Sequence, residues 1–158
     1  MSSPWIESLR SVALHVPDLA KAEDFYTRTW NLQVAHRGDG VIYLRGTGED
    51  AYLLALHQGG EAPQLRQVTL RARSREALDA VHANVVAAGG TMLAAPHPLT
   101  RDPAGGTGLK FKDAHGRVFQ VVHGDERRLG GAAQKDRPIR LTHVVLNSHA
   151  VDETQAFL

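Results

Sequence analysis

The sequence predicts an α+β fold built from two βαβββ units in tandem, and three observations carry that expectation. Val12, Leu14 and Val16 alternate with Ser11, Ala13 and His15, the period of a half-buried strand, and a second alternating stretch covers residues 65–72. Each stretch leads into an amphipathic helix and then into short strands separated by turn-forming residues. Ser11-Val12-Ala13-Leu14 also aligns with Gln67-Val68-Thr69-Leu70 at an offset of 67 − 11 = 56, so the pattern repeats within the chain.

In the first unit, Pro17-Asp18 ends the strand and Asp18 suits the N-cap of a helix spanning about 18–30. Leu19, Ala22, Phe25, Tyr26 and Trp30 form its apolar stripe. Strands are expected at 32–36, 41–45 and 51–57, divided by Gly38-Asp39-Gly40 and Gly46-Thr47-Gly48. In the second unit, Ser74 caps a helix whose apolar face is Ala77, Leu78, Val81, Val85 and Ala88, closed by Gly89-Gly90. Strands are then expected at 91–94, 109–112 and 117–123, the last two joined by Asp113-Ala114-His115-Gly116. The proline- and glycine-bearing stretch 96–107 is expected to be a loop that lines or covers a site.

The 158 residues suit one packed unit without disulfides. The absence of cysteine excludes a disulfide framework, a thiolate metal site and a thiol nucleophile in this chain. With 18 basic residues scattered among 17 acidic ones, the field needed to hold nucleic acid or an anionic membrane is missing, so neither partner is expected. The first residues lack an apolar run behind a basic start, which points to a cytoplasmic protein. Residues 80–100 contain no charge but carry two glycines and two prolines, and read as a helix end and a strand instead of a membrane span.

A third occurrence follows. Arg140-Leu141-Thr142-His143-Val144-Val145-Leu146 opens like Leu9-Arg10-Ser11-Val12-Ala13-Leu14 at an offset of 143 − 11 = 132, and Phe157 then coincides with Phe25. The polar stretch 124–138, with Asp125-Glu126-Arg127-Arg128 and Gly130-Gly131, reads as a solvated linker. The expected organisation is therefore a repeat module at 1–123, a linker at 124–138 and the start of a second module at 139–158. One strand and part of a helix cannot bury their own apolar face, so that last segment is expected to be the truncated beginning of a longer protein.

These segments resemble the vicinal oxygen chelate superfamily of glyoxalases, bleomycin-resistance proteins and type I extradiol dioxygenases. The resemblance rests on Val12-Ala13-Leu14-His15-Val16-Pro17-Asp18-Leu19 with Phe25-Tyr26, on Ala87-Ala88-Gly89-Gly90, and on the hairpin Phe111-Lys112-Asp113-Ala114-His115-Gly116-Arg117-Val118-Phe119-Gln120. It implies that the paired units form a curved, mostly antiparallel sheet around a shared cavity. It also implies two His and one Glu as metal ligands, a set that leaves positions open for a bidentate substrate. The matching positions here are Ser11, Gln67 and Gln120, and none is a good ligand for a divalent cation. No cofactor is thus expected on this portion.

At the third occurrence His143 stands at the first ligand position. A non-catalytic module followed by a restored ligand is similar to two-module extradiol dioxygenases, which open catechol-type rings with Fe(II), sometimes Mn(II), and O2. This implies a small aromatic diol and O2 as reactants of the whole protein, and a homo-oligomer is expected. The other reading of His143 is a lone structural histidine on a strand. A metal-free ligand-binding module of the bleomycin-resistance type is the competing expectation, and a glyoxalase-like isomerase a weaker one. His15 shares the strand face of Ser11 and is expected to line the cavity with Thr69 and Arg71. Ser11, Gln67 and Gln120 are expected to hydrogen-bond one another or water there. Asp113 and His115 read as turn residues more readily than as an acid–base pair. Gly105-Gly106-Thr107-Gly108 lacks the lysine and following helix of a phosphate cradle.

Overall fold

The computed structural model describes residues 4–157. Met1–Ser3 and Leu158, which bound the expected first and last modules, lie outside the described residues. The first unit comprises β1 (Ile6–Val16), α1 (Leu19–Arg28), β2 (Gln33–Gly38), β3 (Val41–Arg45) and β4 (Leu54–Gln58). The second comprises β5 (Gln64–Ala72), α2 (Arg75–Val85), β6 (Thr91–Pro98), β7 (Thr107–Lys112) and β8 (Val118–His123), and α3 (Val151–Phe157) follows. The eight strands form one sheet in the order β2-β3-β4-β1-β5-β8-β7-β6. Each unit contributes the same four-strand order, reflected about the antiparallel β1·β5 pair. The curved, mostly antiparallel sheet has two parallel pairings, β1·β4 and β5·β8.

Both expected caps form: Asp18 accepts from the Lys21 N–H at 3.0 Å and Ser74 from the Ala77 N–H at 3.1 Å. The helix starts, Leu19, Arg75 and Val151, stand 75 − 19 = 56 and 151 − 19 = 132 residues apart, the two offsets of the sequence repeat. Period two then divides the sheet. Val68 and Ala72 lie under the face of α2 that buries Ala77, Leu78, Val81 and Val85, together with Leu109, Phe111, Phe119 and Val121. A second cluster of Val16, Leu32, Ile42, Leu44, Leu53, Leu54 and Leu56 receives Leu19, Ala22 and Tyr26 of α1. Intervening residues face the other side, where the cavity opens.

Strand bounds depart furthest from expectation in three places. β1 begins at Ile6, five residues ahead of the legible alternation, because register shifts between Ile6 and Ser8 and between Leu9 and Ser11 break period two. β6 runs on to Pro98 despite Pro96, since it is the edge strand, where a missing N–H costs no ladder bond, and its register slips between Ala94 and His97. β4 starts at Leu54, after the bend at 51–53.

Residues 140–147 form no strand, contrary to the sequence reading. Strand order depends on a pairing neighbour, and no strand among the described residues pairs with this stretch. The segment is nonetheless held down. Thr47 and Gly48 donate backbone hydrogen bonds to the carbonyls of Pro138 and Ile139 at 2.9 and 3.1 Å. Leu141 packs against the first unit's core, and Leu146 and Phe157 against the second's. Arg117 reaches the Asn147 carbonyl at 3.2 Å and the Thr154 hydroxyl at 3.0 Å.

Candidate functional site

The concave face of the sheet holds a cavity of about 390 Å³ between the two units. Its floor is set by register. Ser11 on β1 lies beside Thr69 on β5, Thr69 beside Gln120 on β8, and Gln120 beside Lys110 on β7. A second row crosses the first unit, where Tyr43 on β3 lies beside Ala55 on β4, Ala55 beside Ala13 on β1, and Ala13 beside Gln67 on β5. Arg66, His57 and the segment His97 to Asp102 complete the walls, so the stretch expected to line a site does so through its first half.

Ser11, Gln67 and Gln120 thus share one cavity, as does Thr69. Gln67 donates from Nε2 to the Thr69 hydroxyl at 3.0 Å, and Ser11 accepts from Arg10 Nη1 at 2.9 Å. His15 and Arg71 do not line the cavity, and the reading that placed them there is corrected. His15 lies past its end, with Nε2 2.9 Å from Arg66 Nη1 and its ring 6.2 Å from that of His57. A third register shift, from Ala13↔Gln67 to Leu14↔Leu65, separates it from the Ser11 row. Arg71 is drawn out of the cavity into a buried ion network. It donates to Asp125 at 2.9 and 2.7 Å and pairs with Asp50 at 2.9 Å.

That network is the feature the sequence reading missed. Arg10 is fully buried, with Nε 3.2 Å from Asp125, Nη2 3.2 Å from Asp102 and its guanidinium 4.1 Å above the Tyr52 ring. The Tyr52 hydroxyl donates to Asp102 at 2.7 Å. Burial works against the Arg10 charge, but Tyr52, Asp102 and Asp125 outweigh it and hold the group above its ordinary range. Burial likewise opposes charge on Asp125, and its bonds to Arg71 and Arg10 still bring its carboxyl below the usual range. Asp125, placed by the sequence in a solvated linker, is instead a buried hub between the units. A polar run with four charges in succession conceals this, because only tertiary contacts distinguish Asp125 from Glu126.

A divalent cation does not fit this arrangement. Ser11 and the two amides bring no negative charge, the Ser11 oxygen already accepts from Arg10, and a permanent guanidinium stands beside it. Among the described residues, no three His, Cys, Asp or Glu side chains are grouped to hold a metal ion. His143 is exposed, with Nδ1 3.0 Å from the Thr142 hydroxyl. Asp113 serves the turn, accepting from the His115 and Arg117 N–H groups at 2.9 Å each and pairing with Arg117 Nε at 2.6 Å.

His57, Lys110 and Tyr43 also line the cavity. Burial, then Arg66, His15 and Lys110, lower the His57 pKa to about 4, so it is neutral at physiological pH. Lys110 is lowered by burial and by Arg66, and Tyr43 is raised by burial, which keeps its phenol protonated.

Comparison with known proteins agrees with this architecture. A family model described as the glyoxalase/bleomycin resistance protein/dioxygenase superfamily matches residues 8–121. The chain matches no curated protein sequence. Among solved structures it is similar to a Mn(II)-bound glyoxalase from Novosphingobium aromaticivorans, with TM-score 0.89 and 24% identity over 97% of this chain and 52% of that one. It is also similar to a variant of homoprotocatechuate 2,3-dioxygenase from Brevibacterium fuscum, with TM-score 0.77 and 23% identity over 89% of this chain and 40% of that one. The homoprotocatechuate 2,3-dioxygenase of Arthrobacter globiformis matches with TM-score 0.77 and 22% identity over 90% of this chain and 45% of that one. The chain therefore spans about half the length of these neighbours, or less, and at such identities the likeness is one of fold. No helix among the described residues is long and apolar enough to cross a membrane.

Proposed function

Because the chain belongs to the glyoxalase/bleomycin resistance protein/dioxygenase superfamily, we propose that residues 1–123 are the non-catalytic N-terminal module of a type I extradiol ring-cleavage dioxygenase. In this reading 124–138 connects the modules, and a catalytic module starts near Ile139 with His143 as its first metal ligand. The supporting observation is the third repeat. Helix α3 starts 132 residues after α1, and the same offset places His143 where the first unit has Ser11. The whole protein's metal, Fe(II) or Mn(II), would chelate both oxygens of a small aromatic diol and activate O2 for ring opening. In the first unit the Arg10 guanidinium instead donates to the Ser11 hydroxyl, at the position a metal ligand would take. The dioxygenase neighbours lend this reading support at the level of fold.

Metal analysis of the protein carrying both modules tests the assignment. His143→Ala is expected to lose bound iron, and Gln120→Ala to retain it. Equal iron loss in the two variants overturns the choice of module. A second reading, a metal-free ligand-binding role for the first module, is favoured by one observation: Lys110, in the cavity wall, forms no ion pair among the described residues.

A further inference from the structure

Arg66, Arg101 and Lys110 line the cavity, and two of them, Lys110 and Arg66, interact across it with no ion pair of their own among the described residues. Lys110 on β7 is half-buried and has no hydrogen bond or ion pair among the described residues, and there the Arg66 guanidinium hydrogen-bonds the ring nitrogen of His15 and forms no ion pair. A register shift skips Arg66 in the β1·β5 ladder, and Arg66 reaches the cavity wall although Val68, of the same parity, lies in the core. Asp102, the one carboxylate among the lining residues, is already committed to Arg10 Nη2 at 3.2 Å, the Tyr52 hydroxyl at 2.7 Å and the Ala104 N–H at 2.9 Å. Burial lowers the Lys110 pKa, and Arg66 lowers it further, so the two cations feel each other across the space. An anion between them would relieve that repulsion.

The rest of the wall supplies a place for a flat apolar body. Tyr43 stands edge-on to Tyr52, with centroids 4.8 Å apart, and 6.5 Å from the His57 ring, while Ala13 and Ala55 leave the sheet floor shallow beside them. The Tyr43 hydroxyl has no hydrogen-bond partner among the described residues and remains a neutral donor. At about 390 Å³ the cavity falls within the range of roughly 300–1,000 Å³ found for small-molecule sites.

We propose that this cavity binds a small organic anion with a planar ring, its carboxylate held by Lys110 and Arg66 and its ring set against Tyr43 and His57. The site is separate from the metal centre assigned above to the following module, and it does not depend on that assignment. Its occupant is recognised by charge and ring, without metal and without a reaction step.

Titration calorimetry of the full chain with benzoate, benzamide and inorganic phosphate tests this. Benzoate is expected to bind at a single site, at least about tenfold more tightly than neutral benzamide, as loss of a charge-assisted hydrogen bond implies. Lys110→Met and Arg66→Gln should each weaken benzoate by about tenfold, while Lys112→Met, at an exposed position of the same strand, leaves it unchanged. Urea midpoints of the variants show that they fold. No binding of benzoate, equal binding of benzamide, or full retention of benzoate by folded Lys110→Met overturns the proposal. Phosphate binding as tightly as benzoate also overturns it, because the ring would then contribute nothing. Because the readout is neither activity nor iron, this proposal and the dioxygenase reading fail independently.

Discussion

Asp125→Asn removes one carboxylate from between two buried guanidiniums. The side chains of Arg10, Arg71 and Asp125 are 0%, 6% and 2% exposed, and the carboxylate accepts bonds of 3.2, 2.9 and 2.7 Å. Removing one partner of a buried ion pair costs about 3–5 kcal/mol, chiefly because the remaining charge is left uncompensated. Arg10 retains Asp102 at 3.2 Å and Arg71 retains Asp50 at 2.9 Å, which places the expected loss at the lower end, about 3 kcal/mol. For a chain of this length that corresponds to a fall in Tm of roughly 6–12 °C. Urea unfolding followed by circular dichroism measures it, with Asp136→Asn, an exposed site in the same 124–138 stretch, as the control expected within about 0.5 kcal/mol of the parent. The pH dependence has a defined sign. The native Asp125 carboxyl titrates below its ordinary value of 3.8, so its contribution is present above that pH and is lost as pH falls through the lower native value. An Asp125→Asn protein as stable as Asp136→Asn at pH 7 would refute the buried network and restore the solvated linker.

Two further outcomes follow from the same structure. At Gly46 a Cβ would collide with the Pro138 carbonyl and come within 2.9 Å of that of Ile139, so Gly46→Ala should expose the 138–139 backbone to proteolysis while the sheet stays folded; an unchanged cleavage pattern would contradict the docking of this segment. The native His57 resists protonation down to about pH 4 whereas the unfolded ring accepts it near 6.5, so stability should fall as pH drops through that window and level off below it; His57→Gln should flatten the slope, and equal slopes in urea midpoints would refute the assignment.

Much of the fold was legible because it rests on local rules. Asp18 and Ser74 cap helices wherever an apolar stripe follows, and period two separates Val68 from Thr69 and Val121 from Gln120 onto opposite faces. The resemblance, and not the repeat alone, led to the expectation that Ser11, Gln67 and Gln120 share one cavity, and the β1·β5 and β5·β8 registers bring those rows side by side. Lys110 was not singled out from the sequence, although its alternation with the buried Leu109 and Phe111 turns it away from the core.

What the sequence could not convey lies at irregularities and at contacts distant along the chain. Arg10 and Arg66 fall at register shifts, where period two no longer tells which side a residue takes, and both reach the concave side, one into the ion network and one into the cavity wall. Asp125 is 115 residues from Arg10 and 54 from Arg71, and no local pattern distinguishes a carboxylate that will be buried from its solvated neighbours. Residues 140–147 carry the alternation of a strand but have no pairing neighbour among the described residues, and alternation expresses a potential that only a partner's N–H and C=O groups make real. The sequence by itself determined most of the elements and their repeat, while the assignment of Ser11, Gln67 and Gln120 to metal-ligand positions is what the resemblance implies. Only the tertiary structure decided where the charges went, because burial and pairing of ions are properties of the assembled core and not of any segment.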